Sequence, residues 1–295
     1  MIVVTGATGT VGRPLVTALA AAGEQVTAVS RRPGDGTLPD GVRHHRADLA
    51  VAGSLRPVLD GADALFLLLS GELLLDGGGA APRALLDAAV AGGVRRVVLL
   101  SSQATGTRPR SASHARLRAF EEAVRGSGSD WTVLRPSGFH SNAFAWAEPV
   151  RTARTVAAPF GDVALPTVDP QDLAEAAAAV LREDGAPRTG GRAQERTHAG
   201  RTYVLTGPAP VSPREQAAAL GSALGEPVAF HELTREEARG HLLTVMPETV
   251  AEGTLDILGE PTDAERQVSP DVERLLGRPA SSFAAWARRN AAAFR

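Results

Sequence analysis

The 295 residues carry 31 basic and 33 acidic side chains, a formal charge of −2, with 43% hydrophobic residues. That is enough apolar material for one large or two modest cores, and the near-neutral balance gives no electrostatic footprint for a nucleic-acid partner. Cysteine is absent, which removes disulfides, thiolate nucleophiles and cysteine-type zinc sites together.

No apolar run approaches the roughly 20 residues that span a bilayer, and Met1 to Thr5 already reads as a buried, β-branched strand. A soluble, cytoplasmic protein without a membrane partner is therefore expected. Gly6, Gly9 and Gly12 follow the strand at three-residue spacing, and Leu15, Val16, Leu19 and Ala20 then keep a helical period. A strand, a glycine turn and a helix N-terminus form the construction that cradles a dinucleotide pyrophosphate. Gly6 turns the chain off the strand, Gly9 lets backbone N–H groups approach phosphate, and Gly12 lets helix and strand pack closely. Thr8, Thr10 and Val11 complete the expected cradle.

Gln25 to Ser30 reads as the second strand, with Arg31 and Arg32 directly after it. An acidic residue there would accept the ribose 2′-hydroxyl of NAD, and none is present. Arginine suits a 2′-phosphate instead, because its planar fork binds phosphate bidentately. NADP(H) is thus expected over NAD(H). Val42 to Arg46 leads into Asp48 and Leu49, and Asp63 to Ser70 is a nearly pure apolar strand. Leu68, Leu69 and Ser70 at its carboxyl end should line the cofactor groove, since ligands bind beyond strand C-termini. Val94 to Ser102 is the next strand, followed by Gln103.

Thr5 and the G-x-x-G-x-x-G turn resemble the extended and atypical branches of the short-chain dehydrogenase/reductase superfamily. Leu134-Arg135-Pro136-Ser137-Gly138-Phe139-His140-Ser141-Asn142 resembles the L-R-P-x-x-F-x-x-N segment of the NmrA-like group, which includes quinone and triphenylmethane reductases. Leu205-Thr206-Gly207-Pro208 and the ending from Ser282-Phe283-Ala284-Ala285-Trp286 to Phe294-Arg295 are similar to the same group.

The resemblance implies an α/β fold: a Rossmann-type doubly wound parallel sheet over 1–142, rejoined by 166–206. Segments 143–165 and 207–295 would then form a smaller, mostly helical substrate domain. Asp48-Leu49 resembles the pair that contacts adenine in the superfamily. Ser101 or Ser102 holds the position of its substrate-orienting hydroxyl, the plainer alternative being a serine that caps the next turn. The Phe139 to Asn142 segment borders the substrate pocket in the group.

The superfamily's tyrosine-lysine acid pair is missing. All 31 basic residues are arginine and the single tyrosine is Tyr203, in a late strand that reads as packing. Histidine remains as a proton donor near neutral pH. His114 lies on the helix that bears the missing pair in other members, and His140 replaces an apolar pocket residue. A satisfied structural role is the competing reading for each, and no histidine spacing suits a metal. After Asn142, residues 143–165 read as irregular; Phe144 and Trp146 there either floor a substrate pocket or simply pack. Val168 onward starts a helix through Leu181, Ser212-Pro213-Arg214-Glu215 reads as a capped helix start, and 183–200 as a loop.

Two functions follow. One is an NADPH-dependent reductase passing hydride to a quinone-like or other conjugated, aromatic small molecule. The other is an NADP(H)-sensing regulator of the kind that names the group.

Overall fold

The computed structural model describes residues 1–32, 38–69, 81–182 and 198–295. In chain order the strands are β1 (Ile2–Thr5), β2 (Val26–Ser30), β3 (Arg43–Arg46), β4 (Ala64–Leu68), β5 (Arg96–Leu100), β6 (Asp130–Pro136), β7 (Thr155–Pro159), β8 (Arg201–Leu205) and β9 (Ala229–Leu233). The helices are α1 (Gly12–Ala21), α2 (Arg56–Leu59), α3 (Pro82–Ala91), α4 (Ala104–Thr107), α5 (Ala115–Arg125), α6 (Ala147–Ala153), α7 (Pro170–Arg182), α8 (Pro213–Leu224), α9 (Arg235–Leu243), α10 (Glu248–Gly259), α11 (Asp263–Arg266), α12 (Asp271–Leu276) and α13 (Phe283–Arg289). Among the described residues no helix is long and apolar enough to cross a membrane.

The chain folds into two compact units. The first contains Met1–Thr105, His114–Arg135 and Leu173–Val204. Its sheet runs in the order β3-β2-β1-β4-β5-β6-β8, and the pairings from β3 through to β6 are parallel. This is the expected doubly wound sheet. The central strands β1, β4 and β5 are buried on both faces, the pattern of a parallel sheet covered on each side by helices. Val3, Leu65, Leu67, Val97 and Leu99 pack with Leu85 and Leu86 of α3 and Leu117, Phe120 and Val124 of α5. Val4, Phe66 and Val98 alternate to the opposite face and are equally buried. The strand order reverses between β1 and β4, and in open α/β sheets the ligand crevice opens at that point, beyond the carboxyl ends.

The second unit contains Gly106–Ser113, Pro136–Asp172 and Leu205–Arg295. Segments 136–142 and 166–172, which the sequence assigns to the sheet domain, fall in this unit, where Phe139 bridges to Val168 and His140 N–H donates to the Val168 carbonyl at 2.9 Å. Residues 143–165 are not irregular: a 3₁₀ turn over His140–Trp146, α6 and β7 occupy most of them. β7 pairs in parallel with β9, Thr155 against Ala229 through Pro159 against Leu233. Val150, Val156, Leu220, Phe283, Trp286 and Phe294 form the core of this unit. Three of its helices, α8, α9 and α11, start on reciprocal caps: Ser212 with Glu215, Thr234 with Glu237 and Thr262 with Glu265. Each cap satisfies two backbone donors that would otherwise lack partners.

Candidate functional site

The turn from β1 into α1 sits at the point of strand reversal. Thr5 is fully buried and its hydroxyl bridges to β4, donating toward the Phe66 and Leu68 carbonyls at 3.0 and 3.1 Å and accepting from Leu68 N–H at 2.8 Å. Gly6 has φ +63°, a left-handed conformation that favours glycine. A Cβ on Gly12 would lie 2.1 Å from the Gly6 carbonyl oxygen, so only glycine lets the helix start this close to the strand. A Cβ on Gly9 would meet only that oxygen, at 3.2 Å, and the residue is exposed. Helix α1 begins at Gly12, its N-cap residue Val11 offers no side-chain cap, and its first turn has no acidic residue. Uncapped N–H groups and the positive end of the helix dipole suit an anion. Thr8 and Thr10 flank Gly9 on the accessible side of this turn, and Val11 is buried.

Beyond the ends of β2 and β3 lies a cavity of about 350 Å³ lined by Arg31, Arg32, Arg46, Ala47, Asp48 and Ser54. Parallel register sets Ser30 beside Arg46, which brings an arginine from each strand end to one place. Asp48 accepts Ala50 N–H at 2.9 Å, and Ser54 both donates to the Asp48 carbonyl at 2.6 Å and accepts its N–H at 3.1 Å. Leu49 is buried below, Leu68 ends β4 against Gly6, and Leu69 just beyond the strand is buried. Ser70 lies outside the described residues, as does most of the 183–200 loop. Arg46 was not picked out from the sequence; the only signal for it was its place as the last residue of an exposed strand parallel to β2.

Ser101 and Ser102 part company. The Ser101 hydroxyl donates to Glu121 at 2.6 Å, joined on that carboxylate by Thr105 at 2.7 Å, Arg125 at 2.8 Å and Arg135 at 3.0 and 2.6 Å. Burial alone would raise the Glu121 pKa, but the hydrogen bonds from Arg135, Ser101 and Thr105 outweigh it and hold the carboxyl at about 2. Ser102 accepts the Ala104 N–H at 3.2 Å and caps the short α4, the plainer of the two sequence readings. Gln103 is buried beside it.

His114 stands half-buried at the N-cap of α5. His140 is 1% exposed, and both ring nitrogens are engaged: Nδ1 with the Thr167 hydroxyl at 3.0 Å and Nε2 with the Ser281 carbonyl at 3.2 Å. A carbonyl only accepts, so Nε2 carries the proton and Nδ1 accepts from Thr167. Burial pushes its pKa below the ordinary histidine value, against the upward pull of the Ser281 carbonyl and of Asp169 and Asp172. Its ring stands edge-on to Phe283 at 5.3 Å. Phe144 stacks on Phe294 at 5.9 Å and tilts against Trp286 at 5.0 Å, while Trp146 packs on the same core. Phe139 is half-buried and Asn142 exposed. In the first unit Tyr203 has its hydroxyl 2.7 Å from His198 Nδ1.

A family profile described as NAD(P)H-binding matches residues 6–184. A (4-alkanoyl-5-oxo-2,5-dihydrofuran-3-yl)methyl phosphate reductase of Streptomyces griseus subsp. griseus is 38% identical over 298 residues, covering 100% of this chain and 99% of that protein. An NAD(P)H azoreductase of Xenophilus azovorans is 30% identical over 300 residues, covering 100% and 99%. Among solved structures, triphenylmethane reductase of Citrobacter sp. in complex with NADP(H) superposes with a TM-score of 0.75 at 25% identity, covering 99% of this chain and 100% of that one.

Proposed function

Because this chain belongs to the NAD(P)H-binding family, and is an NAD(P)H-dependent oxidoreductase, we propose that it prefers NADPH and reduces a conjugated, electron-poor carbonyl compound. The observation that carries the reading is the pairing of an uncapped helix N-terminus behind a glycine turn with a cavity of three arginines one strand away. The first suits a pyrophosphate and the second a ribose 2′-phosphate. Gly6, Thr8, Gly9, Thr10, Val11 and Gly12 would hold the pyrophosphate. Arg31, Arg32 and Arg46 would hold the 2′-phosphate, and Asp48 and Leu49 the adenine side. When bound, the nicotinamide supplies a hydride.

The residues left for proton transfer favour an acceptor that needs little help. Lysine is absent from the chain, and Tyr203 is engaged by His198. The ring nitrogens of His140 are already held by protein groups, so we assign it to packing. The Ser101 proton is committed to Glu121. Addition of hydride to an alkene conjugated with carbonyls leaves a stabilised, weakly basic anion that solvent can protonate, as does reduction of a quinone. The Streptomyces griseus relative is named for a substrate of this type, a ring alkene between a lactone and an alkanoyl carbonyl. Reductases matched along their whole length also favour an enzyme over a sensor.

The test is NADPH oxidation followed at the nicotinamide absorbance, across a panel of quinones and conjugated lactones. Saturable turnover with at least one member, faster with NADPH than NADH, is the expected result. NADPH binding without turnover across the panel would overturn the acceptor class.

A further inference from the structure

The second unit contains a cavity of about 670 Å³ that none of the roles assigned so far uses, between the strap 106–113 and one face of α10. Thr249, Glu252, Gly253 and Asp256 line it at helical spacing, and Arg110, Ser111 and Ser113 close it from the strap. Its walls are fixed. Arg108 pins the strap to the end of α10 and beyond, its guanidinium reaching Glu265 at 2.9 Å and the Glu260 carbonyl at 2.7 Å. A Cβ on Gly253 would lie 2.3 Å from Ser113 Oγ, so glycine is what allows the strap to seat against the helix. The Ser111 and Ser113 hydroxyls meet at 2.8 Å.

The charges around the cavity are uneven in a specific way. Glu252 is met by Arg235 and Arg239 at 2.9 and 2.6 Å, Asp256 by Arg235 at 2.8 Å, and Glu265 by Arg108. Each lining carboxylate thus already has its cation. Arg110 is exposed at the cavity and forms no ion pair with any described residue. An arginine fork next to three hydroxyls presents donors from several directions, which fits a tetrahedral oxyanion better than a planar carboxylate.

We infer that this cavity is a subsite for a phosphate group carried by the organic acceptor, with Arg110 as its principal charge and Ser111, Ser113 and Thr249 as hydroxyl partners. A volume of about 670 Å³ is far larger than an inorganic phosphate and falls in the range of small-molecule sites, so the anion arrives attached to a larger body. The inference rests on the reading that the protein reduces a conjugated carbonyl compound, and adds that the substrate is a phosphomonoester.

The experiment compares a hydroxymethyl-substituted conjugated lactone with its phosphate ester on NADPH-saturated protein, so that the arginines near β2 and β3 are already occupied. The phosphate ester should have a kcat/KM about 10-fold or more higher, expressed mainly in KM, as one charge-assisted contact provides. Arg110→Ala should bring the ratio of the two acceptors close to one, and Arg110→Lys should keep part of it. Equal kcat/KM for both acceptors in the wild type, or a ratio untouched by Arg110→Ala, overturns the inference. If neither acceptor is reduced, it is the acceptor reading that fails. Titration calorimetry with phenyl phosphate on the NADPH-saturated protein then decides the subsite separately. Binding that Arg110→Ala abolishes upholds it. No binding, or inorganic phosphate binding as tightly as phenyl phosphate, overturns it.

Discussion

Glu121 and Arg135 meet through two hydrogen bonds, at 3.0 and 2.6 Å, that fasten α5 to β6 inside the sheet unit. The carboxylate is 1% exposed and also takes the hydroxyl protons of Ser101 and Thr105. Removing one partner of such a pair leaves the others without compensation in a low-dielectric site. Glu121→Ala should cost about 3–5 kcal/mol of stability, read from urea unfolding at neutral pH. A loss below about 1 kcal/mol would mean that water substitutes for the carboxylate.

The same group sets an acid limit. Its folded pKa, about 2, lies below the ordinary 4.5, so its stabilisation is complete above pH 4.5 and drains away as pH falls toward 2. His140 adds a second slope with the same sign. Its folded pKa is depressed, so the unfolded chain takes up the proton first and stability declines as pH drops below about 6.5. Melting temperatures from pH 8 to pH 3 should therefore fall in two stages, and Glu121→Gln should flatten the lower one.

His140→Ala separates packing from proton transfer. The change opens a cavity against Phe283 and leaves the Ser281 carbonyl without its donor, worth about 2–4 kcal/mol. Turnover per folded molecule should stay within about twofold of the wild type, whereas loss of a general acid costs about 100-fold or more. A large fall in kcat at unchanged NADPH affinity would return His140 to the chemistry.

Arginine substitutions test the cofactor preference. Arg31→Ala and Arg46→Ala should each raise the KM for NADPH by about 10- to 100-fold, from the loss of a charge-assisted contact, and leave the KM for NADH nearly constant. Equal effects on both cofactors would show that the cavity does not hold the 2′-phosphate.

The glycines of the turn should behave differently from one another. In Gly12→Ala the new methyl group falls 2.1 Å from the Gly6 carbonyl oxygen, so stability drops by about 3 kcal/mol or more along with cofactor affinity. In Gly9→Ala the nearest atom is 3.2 Å away. Stability should hold while NADPH affinity falls, which thermal melting with and without NADPH resolves.

The first unit was legible because its signals are local. A β-branched run, three glycines and a helical period sit within 20 residues, and β4 and β5 are short apolar bursts. What escaped depends on distant partners. Among the described residues β7 pairs only with β9, some 70 residues on, so nothing near 155–159 marks it as a strand. Nothing near Glu121 in the sequence marks it as a buried carboxylate; β5 and β6 bring Ser101 and Arg135 to it. Arg46 acquires its neighbours through parallel register with Ser30. The aromatic residues at 144 and 146 were ambiguous for the same reason: their partners Trp286 and Phe294 come at the far end of the chain.

Among the described residues β3 is one edge of the seven-stranded sheet, and it reads Arg43-His44-His45-Arg46. An open edge offers unpaired backbone groups to any passing strand, and charged side chains are what discourage the addition of another chain. This edge is guarded by two permanent charges, with two imidazoles between them. The strand that lends Arg46 to the cavity thereby also protects the sheet from templating aggregates, so neutralising Arg43 and Arg46 together should expose the protein to edge-to-edge association.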